Sequence, residues 1–355
     1  MHHYERLQKK LDQHPVGAPE SEEFLEILKL LFLEDEVELA LHLDFQLKKL
    51  GDVAAQAGFS AEEAREKLEA MANRGSLLAK KVEGEPAYAL LPNYPGLFEY
   101  PVMKGMDEAK QKRLAELWHA YYMKYMAAEL AAARPPWLRV FPSEQAFDEG
   151  EEEVEILPYE KASEMMGKAQ SIALAKCPCR IVEQKCEKPL QVCLSFDGAA
   201  RFLIERGMAR EISLQQANKI LDEAEEAGLV HAGSNNMQNL LFLCNCCSCC
   251  CHFMKLLTEH GYDQGIATSS YRARSDDEKC TGCGICAEER CPVKAIEMVS
   301  DKASIDHKRC IGCGLCVTNC PDDALQMVKR EDYQPPPATV KELAKEVVTY
   351  KKQKQ

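Results

Sequence analysis

Cys280-Thr281-Gly282-Cys283-Gly284-Ile285-Cys286-Ala287-Glu288-Glu289-Arg290-Cys291-Pro292 is answered further along the chain by Cys310-Ile311-Gly312-Cys313-Gly314-Leu315-Cys316-Val317-Thr318-Asn319-Cys320-Pro321. The first three cysteines of each run recur at a period of 30 residues. Three thiols two residues apart lie on one tight loop, and the glycines between them let backbone N–H groups come close to sulfur. Zinc sites more often use two cysteine pairs with a longer gap between them. The runs differ in one place: four residues separate the last two cysteines of the first run and three those of the second. The extra residue allows a local bulge and removes no ligand.

Over about residues 275–330 this pattern resembles the bacterial two-cluster ferredoxin family. The resemblance implies two [4Fe–4S] clusters with crossed ligation, because in that family the cysteine before proline serves the other cluster. Cys280, Cys283, Cys286 and Cys320 would then hold one cluster, and Cys310, Cys313, Cys316 and Cys291 the second. Ile285, Ile296, Ile311, Leu315 and Leu325 are the apolar side chains expected around them.

All 18 cysteines lie after residue 176, so the first half of the 355-residue chain does different work. Ten of them precede the ferredoxin-like runs, in two groups. One is Cys177-Pro178-Cys179-Arg180 followed by Cys186 and Cys193. The other is Cys244-Asn245-Cys246-Cys247-Ser248-Cys249-Cys250-Cys251-His252. A helical hairpin would bring the groups together. If 246–252 is helical, Cys246, Cys249 and Cys250 share one face, and Cys247 and Cys251 another. Thiolates at that density repel one another unless a cation neutralises them. A further iron–sulfur cluster is the preferred reading, with zinc, a thiolate cage and disulfides as the alternatives. Arg180 would offset cluster charge, and His231 and His252 are candidate ligands that are as readily structural.

Composition sets the wider bounds. A net charge of −13 argues against broad nucleic-acid binding, which needs basic stripes to displace counterions. No apolar stretch near the N-terminus has the length of a secretory signal core, and no run is long enough to span a membrane. Cysteine abundance without an export signal points to metal or clusters in a reducing compartment, and the expected location is the cytoplasm.

The expected fold class is α+β and multidomain: a winged helix, a helical cysteine-rich middle domain and a ferredoxin-like C-terminal domain. Residues 1–20 read as a loose arm. Helix–turn–helix patterning follows, with Ser60 and Glu63 forming a capping box, and then a hairpin around Glu83-Gly84-Glu85-Pro86. Residues 21–100 thereby resemble the winged-helix family. Residues 101–158 read as a helical connector containing a long helix over 107–133, an acidic loop over 148–153 and a short strand over 154–157. Residues 159–265 form the cysteine-rich domain, with helices expected at 159–176, 198–206 and 214–227. Residues 261–275 link it to the ferredoxin-like domain at 275–330, and 331–355 form a short helical, lysine-rich tail.

The helix over Ala61–Asn73 carries Glu62, Glu63, Glu66 and Glu69 against Arg65 and Lys67, a composition that phosphates repel. A docking or dimerisation module is favoured over a DNA reader. The chain carries no nucleotide loop, no flavin or NAD fingerprint and no nucleophile triad, so an enzymatic role would rest on the upstream cysteines alone. The function expected is single-electron transfer through two [4Fe–4S] clusters, and through a further upstream cluster, to a partner oxidoreductase. The rivals are a redox-responsive regulator and a reductase acting at the upstream cysteines. A homo-oligomer is left open.

Overall fold

The structure, a computed structural model, describes residues 2–147 and 156–354. The expected acidic loop at 148–153 and the start of the strand at 154–157 lie outside the described residues. The chain divides into two compact units. The first comprises 1–129, 175–184 and 198–211, and the second 130–174, 185–197 and 212–355.

The first unit is built on aromatic packing. Helix Glu22–Leu31 starts at Ser21, whose hydroxyl accepts from the Phe24 N–H. Its inner face packs on helix Glu108–Tyr121, where Phe24 stacks on Tyr121 at 4.9 Å between ring centroids. Trp118 is fully buried and meets Phe98 edge-on at 5.4 Å. The N-terminal residues are not a loose arm. They form helix His2–Leu11, because Leu7 and Leu11 fall on one face and are buried.

Helix Leu50–Ala57 ends at Gly58, which takes the left-handed conformation. Ser60 then opens helix Ala61–Asn73 through the reciprocal bonds of a capping box with Glu63. Strands Leu77–Val82 and Glu85–Leu90 pair antiparallel, and Lys48–Lys49 adds a short third strand beside the latter. Glu69 on the 61–73 helix accepts from the Tyr88 hydroxyl at 2.6 Å and from the Arg206 guanidinium at 2.6 Å. Arg206 also reaches Asn73 Oδ1 at 2.7 Å, so the C-terminal half of this helix is engaged within its own unit.

The second unit is organised by an antiparallel sheet in which Leu138–Val140, Val230–Ser234, Phe242–Cys246 and Gln191–Phe196 lie side by side. Residues 172–174 continue it beyond Gln191–Phe196. Helix Leu214–Glu226, capped by Ser213 and Gln216, covers the sheet with Ala217, Ile220, Leu221 and Ala224. This sheet corrects the expectation of a helical cysteine-rich domain. The helix expected over 159–176 is only Ala162–Gly167, since the following Ile172-Ala173-Leu174-Ala175 is buried throughout and runs as a strand.

The expected linker over 261–275 is also structured at its end. Tyr271–Ser275 pairs antiparallel with Leu325–Lys329, from Tyr271↔Lys329 to Ser275↔Leu325. The tail forms helix Val340–Lys354, which buries Leu343 and Val347 against Ala133 with Trp137 beside them.

Burial works to raise the Glu69 pKa, but the bonds from Arg206 and Tyr88 outweigh it and hold the carboxyl below its usual range. A carboxylate depressed in the folded state stabilises above its unfolded pKa of about 4.3, and that contribution is lost as pH falls through the folded value. Because Glu69 is partly exposed, screening limits the effect. Glu69→Gln should cost about 1 kcal/mol at pH 7. The difference from wild type should shrink in thermal melts taken below about pH 4.

Candidate functional site

The repeated runs fold as two copies of one loop exchanging their ends. In the first, Asp276 Oδ1 accepts from the Glu278 N–H at 2.9 Å and its carbonyl accepts from the Cys280 N–H at 3.0 Å. In the second, Asp306 Oδ1 accepts from the Lys308 N–H at 2.9 Å and its carbonyl from the Cys310 N–H at 2.9 Å. The exchange is visible in the backbone: the Asp276 N–H donates to Ala324 of the second repeat at 2.8 Å, and the Asp306 N–H to Ala295 of the first at 2.7 Å. Strands Ile296–Val299 and Lys302–Ile305 form the hairpin between the two loops.

The loops depend on left-handed glycines. Gly282, Gly284, Gly312 and Gly314 have φ between 72° and 80°. A Cβ on Gly312 would stand 2.1 Å from the Tyr271 carbonyl oxygen and 2.2 Å from Ser269 Oγ. The extra residue of the first run is absorbed in a single π-helical turn, Cys286–Arg290, closed by a 3.0 Å bond from the Cys291 N–H to the Cys286 carbonyl. That turn holds Arg290 where its guanidinium reaches the carbonyls of Glu225 at 2.9 Å and Glu226 at 3.1 Å. Sequence reading missed Arg290 as an anchor. It also missed the Asp276 and Asp306 turns, whose signal is an aspartate four residues before the first cysteine of each run.

Two cavities follow from this arrangement. One is lined by Cys291, Cys310, Cys313 and Cys316 together with Val293, Ile296 and Ile311. The other is lined by Cys280, Cys283, Cys286 and Cys320 together with Ile285, Met298 and Leu325. Cys291 Sγ accepts from the Ala295 N–H at 3.1 Å, and Cys320 Sγ from the Ala324 N–H at 3.3 Å, the same bond in each repeat. Burial pushes the free Cys313 thiol up to about 12 and raises Cys286 and Cys291 as well. Holding these sulfurs as thiolates at neutral pH therefore requires positive charge inside the cavities.

Residues 272–321 match the family model of the 4Fe-4S dicluster domain. This segment is of ferredoxin type and binds iron–sulfur clusters. No curated protein and no solved structure matches the chain. The side chains fit the group the family implies: each cavity offers four sulfurs, apolar walls and backbone N–H groups aimed at sulfur. No helix among the described residues is long and apolar enough to cross a membrane.

The upstream cysteines are distributed by the sheet, not by a helical hairpin. Cys177 caps the short helix Pro178–Glu183, which carries Cys179 and the buried Arg180, and these three belong to the first unit. The remaining eight belong to the second unit. Cys193 lies on strand Gln191–Phe196, and Cys244 and Cys246 on Phe242–Cys246. The pairing Leu194↔Leu243 carries Cys193 and Cys244 towards adjacent positions across the two strands.

After Cys246 the chain leaves the sheet in a turn closed by a 3.2 Å bond from the Cys251 N–H to the Cys247 carbonyl. Helix His252–Thr258 starts immediately afterwards. This geometry corrects the helical face expected for 246–252. Cys247, Cys249 and Cys250 converge with Cys186, their four Sγ atoms all within 4.8 Å of one another. Cys246 instead meets Cys244 and Cys251, whose hydrogen bonds, with burial, push its thiol well up.

His231 is tied by Nδ1 to Asn245 Oδ1 at 2.6 Å, and Asn245 Nδ2 donates to the Val192 carbonyl at 2.8 Å. Burial lowers the His231 pKa and keeps the imidazole neutral. His252 is completely buried at the start of its helix.

Gly312→Ala should abolish the second loop. The overlap and the positive φ each disfavour a Cβ, with strain of about 1–3 kcal/mol from the backbone alone. Cluster absorbance and iron content should fall sharply, whereas Gly51→Ala, which meets nothing within 4 Å, should leave both unchanged.

Proposed function

We propose that this chain is an electron-transfer protein or subunit that moves single electrons through two [4Fe–4S] clusters. Cys280, Cys283, Cys286 and Cys320 hold one, and Cys291, Cys310, Cys313 and Cys316 the other. The observation that carries this reading is the pair of apolar cavities, each lined by one of those sets of four. When bound, the clusters supply one-electron redox chemistry. The chain's own residues fix the thiols, exclude water with Ile285, Ile296, Ile311 and Leu325, and aim N–H groups at sulfur.

The two loops share one small apolar cluster of side chains, including Tyr271, Ala273, Cys286, Ile296, Cys316 and Leu325. That common wall supports electron passage between the clusters. The exchanging partner is a redox protein, and Cys283, the exposed ferredoxin cysteine, marks the side from which the first cluster is reached.

The 61–73 helix supports docking between proteins and not DNA reading. Its Lys67 is occupied by Asp35 and its Glu69 by Arg206 and Tyr88, and its other glutamates would face phosphate.

Crossed ligation gives a test by paired variants. About eight acid-labile sulfides per chain are expected in the anaerobically purified protein. Cys320→Ser with Cys283→Ser should lose about four, no more than either change alone, because both affect one cluster. Cys320→Ser with Cys313→Ser should lose nearly all eight, about four for each cluster. The reverse pattern would refute the crossed assignment, and a colourless protein with zinc in these cavities would refute the function.

A further inference from the structure

The upstream quartet differs in kind from the ferredoxin cysteines. Cys186 Sγ stands 3.9 Å from Cys247 Sγ and 3.8 Å from Cys250 Sγ, and Cys249 Sγ stands 3.8 Å from Cys250 Sγ. The remaining pairs among Cys186, Cys247, Cys249 and Cys250 fall within 4.8 Å. Among the described residues no other group of three or more cysteine, histidine or carboxylate side chains gathers its ligand atoms in this way.

Sulfur spacing discriminates between metal centres. A tetrahedral ion with metal–sulfur bonds of about 2.3 Å places its ligand sulfurs about 3.8 Å apart. A cubane needs each thiolate on a different iron, at a different corner of a core with four irons and four sulfides, which drives the sulfurs much further apart. The 3.8–3.9 Å contacts here match the single ion. They are also far too long for disulfides, whose sulfurs bond at about 2.05 Å.

The surroundings suit a compact anionic site. Cys247 and Cys250 are buried while Cys186 and Cys249 are half-buried, which leaves an entry path on one side. The Lys185 backbone N–H donates to Cys250. Glu259 lies 3.5 Å from both the Lys185 and the completely buried Lys255 ammonium groups, so two cations share one carboxylate. Four thiolates around a divalent ion carry a net charge of about −2.

We propose that Cys186, Cys247, Cys249 and Cys250 bind one thiophilic divalent ion in tetrahedral sulfur coordination, zinc or ferrous iron, and no iron–sulfur cluster. The ion fastens the loop bearing Cys186 to the turn that opens helix His252–Thr258. It neutralises thiols that the fold otherwise holds in contact. Binding releases the thiol protons and forms four metal–sulfur bonds, with no change of oxidation state.

Metal and sulfide analysis of the anaerobically purified full chain tests this. Cys186→Ser and Cys249→Ser, each at a half-buried position, should lower the metal content by about one ion per chain. Acid-labile sulfide should stay unchanged in both. Loss of zinc identifies one source and loss of iron without sulfide the other. For zinc, X-ray absorption at the zinc edge of the wild-type protein, to which the cluster irons do not contribute, keeps the test independent of variant folding. A first shell of four sulfurs at about 2.3 Å is expected.

A loss of iron and sulfide together, about four of each, would overturn the proposal in favour of a third cubane. So would variants that lose no metal. Sulfide retained by the Cys280–Cys320 segment is a separate reading, so failure here leaves the two-cluster assignment standing.

Discussion

Buried sulfurs brought together by a fold must be neutralised, and this requirement governs the second unit. A lone thiol packs as a small apolar group. Several in one cavity either keep their protons, with pKa values driven up by burial, or surrender them to a metal. Cys313, pushed up to about 12 without a cation, shows how strongly the apolar walls oppose a bare thiolate. The cavities that make cluster binding favourable also make the empty loops unstable as charged species. Metal binding and folding of these loops are therefore coupled.

The same requirement is met in two ways within one unit. The ferredoxin loops spread their cysteines around two apolar-walled pockets, shaped by left-handed glycines and by paired N–H···S bonds. The upstream quartet gathers its four sulfurs within 4.8 Å of one another. The first arrangement distributes four sulfurs around a pocket, as a multi-atom core requires; the second gathers them as one ion requires. On this account electron traffic belongs to the C-terminal loops, and the upstream ion serves the frame around them. Arg290 ties the first ferredoxin loop to the sheet-covering helix, since its π-helical turn begins at Cys286 while its guanidinium grips the end of helix Leu214–Glu226.

The ferredoxin loops were legible because their chemistry is local. Cysteine spacing and glycine positions lie within a few residues of one another, and a period of 30 repeats them. The Ser60–Glu63 and Ser213–Gln216 capping boxes were legible for the same reason. The upstream cysteines were not, because their grouping depends on strand pairing. Leu194 meets Leu243 only once the sheet has formed, and Cys186 meets Cys247, Cys249 and Cys250 across about sixty residues of chain. The run Ile172–Ala175 lacks an alternation that would mark a strand, since it is buried on both faces, and it was read as helix. The N-terminal helix was missed because its polar residues mask the two buried leucines that hold it.

Electron paramagnetic resonance of the anaerobically reduced full chain tests the central claim most directly. Two reduced cubanes in neighbouring loops should give iron–sulfur signals broadened and split by their mutual magnetic interaction, and Cys313→Ser should collapse these to the simpler spectrum of one isolated centre. A reduced protein with no iron–sulfur signal, or one whose spectrum is already that of a single isolated centre before any substitution, would contradict the account.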